Sequence, residues 1–381
     1  MTTRRISYRP ELDGIRAIAI LGVLVFHIQL MWFTHLRGDS GLLGVDLFFV
    51  LSGFLITSLL LDEHATTRTF SKSRFYGRRA LRLLPALMLA LLLGAFVTHL
   101  YGNGNGALPY RRAAFASLFF SGNWFGDKLG VLTPTWSLGL EEQYYLLWPL
   151  GLALALRRGV RTTRLALFTA ALAGSFAAMR SALDHGVFSH ASWVVVARGW
   201  SRADGVLIGT TLALVLTRDR HPVVDRILRD RGLMAASLVC VCGVSVRAAF
   251  ANRATWDWIL LLDCCFALLI GHVFLDARTP LSHLLRTPPL PSIGRISYGI
   301  YVFHWPIFFW ARHAIPNRLT AAGAALVGTL CLAGLSFNLI ERPALHLKAR
   351  LARPRSTRNK TRERPRPPEP TLVAVAQRAA A

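Results

Sequence analysis

Apolar runs of about 20 residues recur along the whole chain, and no other feature limits its fold so strongly. They fall at roughly 13–35, 41–61, 83–101, 136–156, 165–180, 200–216, 233–250, 256–275, 294–312 and 319–339. As a helix each rises about 30 Å, the thickness of a bilayer's hydrocarbon core, where every backbone polar group must be satisfied within the element. The 381 residues are 53% hydrophobic and 17% charged, too little charge for a soluble domain of this length. The fold class expected is all-α: a polytopic membrane helix bundle of about ten transmembrane helices. An eleventh run at 113–125 rises only ~20 Å as a helix and reads as a re-entrant or half helix.

Charge sets the orientation. The formal net charge is +24, which by itself suggests a nucleic-acid partner, but the basic residues lie in loops between apolar runs and in the tail. With 113–125 not crossing, RTFSKSRFYGRRALR, RRGVRTTR, RDRHPVVDRILRDRG and the tail all fall on one side, and YGNGNGALPY on the other. The positive-inside rule then places both termini in the cytoplasm. The first run follows Arg4, Arg5 and Arg9 without a small-residue cleavage site, so it is expected to be retained as a span. Residues 1–345 read as one membrane domain, and 346–381 as a disordered basic Pro/Arg-rich cytoplasmic tail lying against anionic lipid, not nucleic acid. Cys240, Cys242, Cys264, Cys265 and Cys331 all sit inside apolar runs, so they read as packing residues; no metal site and no disulfide framework are expected.

Ionisable side chains at membrane depth are costly, which singles them out. Arg16 and His27 are eleven residues apart, so they share one helix face to within ~20° and stand ~16 Å apart along the axis. In the second run GVDLFFVLSGFLIT carries Asp46 and Ser52; in TPTWSLGLEEQYYLLWP, Ser137 and Glu141 share a face at i, i+4, and Glu142 points elsewhere. By depth His27, Asp46 and Glu141 occupy one layer, so either carboxylate is a candidate to orient the imidazole as a base. Before the third run, Arg74, Arg78, Arg79 and Arg82 recur around Tyr76, a forked array suited to a polyanionic ligand as well as to ordinary membrane anchoring. Arg202 and Asp204 open one span; Tyr298, Tyr301 and His304 lie along another; Glu341 and Arg342 close the last. His304 reads as a core histidine bonded to a neighbour, and Asp263 has no role in this reading. The residues by themselves also fit a second class, a proton-coupled transporter or exporter of a small metabolite.

Taken together, YRPELDGIRAIAILGVLVFH, GVDLFFVLSGFLIT, RFYGRRALRLLP, TPTWSLGLEEQYYLLWP, RADGVLIGTTLAL, ISYGIYVFHWPI and ERP resemble the integral-membrane acyltransferase family 3, which includes O-antigen acetylases and macrolide O-acyltransferases. The resemblance runs from about residue 8 to 345. It implies a multi-pass enzyme of the bacterial plasma membrane that moves an acyl group, commonly acetyl, from acyl-CoA to a hydroxyl of a sugar, lipid-linked glycan or macrolide-type metabolite. No permanently bound cofactor is implied. Joined to the reading of the residues, the resemblance makes Arg16, Arg78, Arg79 and Arg82 the holders of the CoA phosphates; His27 would either deprotonate the acceptor hydroxyl or briefly carry the acyl group itself, with Asp46 or Glu141 beside it, and Ser52, Ser137, Arg202, Asp204, Tyr298 and His304 would shape the site. Longer members carry an extracytoplasmic hydrolase-like domain, and the sequence after the last span offers none, so a single-domain enzyme is expected.

Overall fold

The computed structural model describes residues 8–33, 42–67, 72–185, 194–216, 222–250 and 258–344. The tail from 346 to 381 lies outside the described residues, as do the side chains of Arg74 and Arg78. Among the described residues every regular element is helical. Three long helices come first: α1 (Pro10–Trp32), α2 (Leu42–Thr67) and α3 (Lys72–Tyr101). The short α4 (Tyr110–Leu118) and two 3-10 stretches, Gly122–Trp124 and Gly126–Leu132, lead into α5 (Thr135–Arg157) and α6 (Thr162–Asp184). Then follow α7 (Val194–Trp200), α8 (Ala203–Val215), α9 (Pro222–Arg229), α10 (Arg231–Phe250) and α11 (Ile259–Leu275). The chain closes with α12 (Pro280–Arg286), α13 (Leu290–Arg295), α14 (Ser297–Ala314) and α15 (Arg318–Ser336), which runs into a π turn at Phe337–Glu341.

Among the described residues five helices are long and apolar enough to cross a membrane, and a sixth if α11 and α12, bent by 86°, form one broken span. That is fewer than the ten apolar runs. The run near 200–216 becomes a 13-residue α8, about 20 Å of rise, and α5 carries Glu141 and Glu142 in its first half. The 113–125 run is interrupted: α4 stops at Leu118, and Phe120 takes a φ of 53° before the 3-10 stretches begin.

The most interior span is α2, with 67% of its apolar window buried, against 28% for α3 and 22% for α15. The outer helices turn Leu92, Phe96, Val327 and Leu335 outward, as expected of a bundle whose solvent is hydrocarbon. Lipid tails are as apolar as leucine, so burial of leucine contributes little to helix association; close backbone approach and internal polar bonds must supply it. The α2–α8 pair has both. A Cβ on Gly53 would lie 1.9 Å from the Val206 carbonyl oxygen, and one on Gly209 would lie 1.9 Å from that of Val50. At the same crossing, Asp46 of α2 accepts from Arg202, with Nη2 2.5 Å from both carboxylate oxygens and Nε 3.2 Å from Oδ1. Arg180 of α6 reaches Asp204 of α8 at 2.6 Å and donates to the Ser201 carbonyl at 2.8 Å. Beside these pairs Asp263 of α11 is fully buried, and neither of its oxygens has a hydrogen-bond partner among the described residues.

The described chain begins and ends on one face of the bundle. Glu11 at the start of α1 pairs with Arg286 of α12, and Gly294 packs on the Asp13 carbonyl. The Tyr298 hydroxyl at the start of α14 donates to the Leu83 carbonyl early in α3, and Glu341 lies beside Gly299.

Replacing Gly209 with Leu is expected to abolish monodisperse elution in detergent, because the added atoms overlap the α2 backbone. Gly243→Ala, which meets nothing within 4 Å, is expected to be neutral or slightly stabilising in the same assay. Asp46→Ala leaves Arg202 buried without its carboxylate and should cost about 3–5 kcal/mol in denaturant titration. The double replacement Asp46→Ala/Arg202→Leu should recover part of that loss.

Candidate active site

Two side chains of α1 anchor the site. Arg16 lies near its first turns, where Asp13 approaches it at 3.6 Å, and His27 lies near its other end. Around Arg16 two adjoining hollows share Arg16, Ser52, Arg79, Arg82 and Tyr145 as common walls. The outer hollow is bounded by Tyr8, Arg9 and Asp13, on the face where the described chain begins. The inner one extends past Phe48, Ser137 and Glu141 to Tyr298 and Tyr301.

The charges in this hollow are unequally committed. Glu142 grips Arg79 with both oxygens, at 2.8 and 3.0 Å from Nε and 2.5 Å from Nη2, and the guanidinium lies 3.2 Å over the Tyr145 ring. The fork expected to hold phosphate is thus filled by a carboxylate. Arg82 is exposed and has no ion-pair partner among the described residues, and Arg16 has Asp13 at 3.6 Å, so Arg82 supplies the surplus positive charge beside the loosely paired Arg16. Glu141 accepts from the Ser52 hydroxyl at 2.8 Å, across from α2. The i, i+4 spacing of Ser137 and Glu141 puts both in the cavity wall.

His27 is half-buried, and its partner is not a carboxylate. Its Nδ1 lies 3.1 Å from Nε2 of His304, with the two rings 4.8 Å apart, and the Trp305 ring stands edge-on at 4.8 Å. This corrects the expectation that Asp46 or Glu141 contacts His27. Asp46 is held by Arg202 and Glu141 by Ser52 on another face, which axial depth could not reveal. Neither histidine lines the hollow. The link is Tyr301: its hydroxyl donates to the Pro134 carbonyl at 2.9 Å and meets Ser137 Oγ at 2.6 Å, and its backbone carbonyl lies 2.6 Å from His304 Nδ1.

The far end of the site is closed by backbone. Trp305 Nε1 donates to the Gly130 carbonyl at 3.0 Å. Gly130 has a φ of 60°, and a Cβ there would lie 2.1 Å from the Asn103 carbonyl oxygen, so only glycine fits. Asn103 from YGNGNG donates to the Leu108 carbonyl and accepts from the Val131 amide, clamping the loop over this end. Arg202 and Asp204 belong to the α2–α6–α8 ion pairs and not to the cavity wall. Sequence reasoning did not single out Tyr8, Arg9, Tyr145, Trp305 or Arg180. Arg180, a cation at the end of an apolar run, carried a usable signal; the others read as ordinary interfacial or aromatic residues.

The acyltransferase domain family matches residues 9–337. The chain is 30% identical over 359 residues to the peptidoglycan O-acetyltransferase OatA of Listeria monocytogenes, an alignment covering 88% of this chain and 56% of that protein. It is 31% identical over 363 residues to YrhL of Bacillus subtilis, a putative peptidoglycan O-acetyltransferase, covering 90% and 55%. A putative O-acetyltransferase of Staphylococcus aureus is 28% identical over 376 residues, covering 89% and 58%. The chain thus spans little more than half the length of these curated relatives. No solved structure matches it. Motifs spread from α1 to α14 lie within the matched region, and the chain belongs to the acyltransferase domain family.

Proposed function

We propose that the chain is a membrane O-acetyltransferase that moves an acetyl group from acetyl-CoA to a hydroxyl of a cell-envelope glycan. One observation carries this reading: the cationic hollow and the candidate base stand on one helix, Arg16 at one end and His27 ~16 Å further along. That rise is comparable to the length of a pantetheine arm. The names of the relatives favour an envelope glycan over a macrolide-type metabolite as acceptor. The topology that goes with it has ten membrane crossings, a re-entrant 113–125 segment, both termini in the cytoplasm and a basic tail from 346 onward against lipid headgroups. The setting is the bacterial plasma membrane.

In this mechanism the CoA phosphates dock on Arg16 and Arg82, with Arg78 as a third candidate, and Arg79 shapes the wall through Glu142 and Tyr145. The pantetheine arm runs along the hollow past Ser52 and Glu141, and the acyl end passes Tyr301 toward His27. His27 Nε2 takes the proton of the acceptor hydroxyl as its oxygen attacks the thioester carbonyl. The tetrahedral adduct collapses, the C–S bond breaks, and the leaving thiolate recovers the proton from the imidazolium. One ester forms, one thiol is released, and the base is regenerated.

Transfer from labelled acetyl-CoA in proteoliposomes tests the reading. His27→Ala should lower the rate by at least about 10²-fold while elution and thermal unfolding stay unchanged, since general-base assistance supplies 10²–10⁴. Full activity in that variant would remove His27 from the chemistry. Arg82→Gln should raise the KM for acetyl-CoA about 10- to 100-fold with a small change in kcat, the effect of losing one charged hydrogen bond to phosphate. A substrate-driven proton current with no CoA requirement would instead return the chain to the transporter class.

A further inference from the structure

We propose that His304 is a positioning residue that holds the proton of His27 on Nδ1 and leaves Nε2 bare for the acceptor hydroxyl. The proposal deepens the reading of His27 as base and rests on it. It starts from a carbonyl. The Tyr301 backbone oxygen can only accept, and it lies 2.6 Å from His304 Nδ1, so that nitrogen carries a hydrogen. A neutral imidazole has one N–H, so His304 Nε2 presents a lone pair. His27 Nδ1 stands 3.1 Å from that lone pair, and a hydrogen bond between the two nitrogens requires the proton on His27. His27 Nε2 is therefore the unprotonated atom.

Each part of this chain is held from outside. His304 is fully buried, packed between the Tyr301 and Phe308 rings. The Tyr301 hydroxyl is fixed to Pro134 and Ser137, and Trp305 is fixed to Gly130 while it bounds the His27 ring. The base is thus oriented by a neutral imidazole, whereas the familiar orienter is a carboxylate. When His27 Nε2 takes the acceptor's proton, the imidazolium Nδ1–H donates a charge-assisted bond to His304, and the orienting group itself adds no negative charge to the apolar interior. When the thiolate leaves and takes the Nε2 proton, the starting tautomer is restored. Proton and charge balance across the cycle without a further group.

The test reads the tautomer directly. Protein labelled with 15N-histidine is reconstituted in nanodiscs, and the His27 signals are identified by difference against His27→Gln. The wild type should show His27 with its proton on Nδ1. In His304→Phe, which removes the His304 acceptor and leaves the Val23 carbonyl one turn back, the Nε2–H form should gain population, and kcat should fall at least tenfold with the KM for acetyl-CoA unchanged. His304→Gln, whose side-chain oxygen can accept from Nδ1, should keep the Nδ1–H form and recover activity to within about tenfold of wild type. If His304→Phe fails to fold, the wild-type tautomer and the His304→Gln rescue still decide. A wild-type His27 carrying its proton on Nε2 overturns the proposal, as does a folded His304→Phe variant with unaltered tautomer and kcat. If His27→Ala is inactive and these signatures are absent, only the role of His304 fails; if His27→Ala is active, the base assignment itself fails.

Discussion

The ion pair between Asp46 and Arg202 is the interaction on which the rest of the structure depends. In an apolar surrounding a lone carboxylate or guanidinium is expensive, and the cheapest solution is a partner on a neighbouring helix. Asp46 ties α2 to the start of α8, and Arg180–Asp204 ties α8 to α6 at the same level. Gly53 and Gly209 then let the α2 and α8 backbones come into direct contact. Asp46 and Ser52 are six residues apart, about 240° around the helix. One face of α2 is thus committed to α8, while another is free to wall the hollow with Ser52 and Glu141.

The same economy divides the cavity's charges. Arg79 is neutralised by Glu142 and packed on Tyr145, which fixes α3 against α5. Arg16 and Arg82 are left to set the potential of a hollow with low-dielectric walls, where surplus positive charge attracts a polyanion most strongly. Deeper in, toward His27, the polar groups are neutral: two histidines, a tyrosine and a serine. Charge at the mouth and neutral hydrogen bonding at the far end suit the proposed donor, whose phosphates are charged and whose thioester is not.

Much of this was legible in the sequence, and the limit was geometric. Apolar periodicity located the helices, and the eleven-residue spacing put Arg16 and His27 on one face of α1. Helical spacing also put Ser137 and Glu141 together in the cavity wall. Depth along a helix axis does not tell which helix is the neighbour, and this is where the reading failed. Gly44, two residues before Asp46, packs on Ala19 and Val23 of α1, short of His27, and Asp46 belongs to Arg202; His304, read as a core histidine, is the one that meets His27. Nor does apolar content register a break such as that at Phe120 or the 86° bend between α11 and α12. The Asp263 carboxyl, without a role in the sequence, is buried beside the α2–α6–α8 pairs.

The central claim is that donor and base meet within the bundle, with the donor entering at the Arg16 and Arg82 end. Photolabelling with an acyl-CoA that carries a diazirine in a short acyl group measures this directly, by peptide mapping after irradiation in membranes. The account predicts label on α1 around His27 and on α14 around Tyr301 to Trp305, suppressed by excess CoA. Label confined to segments remote from both helices, or undiminished by excess CoA, would contradict it.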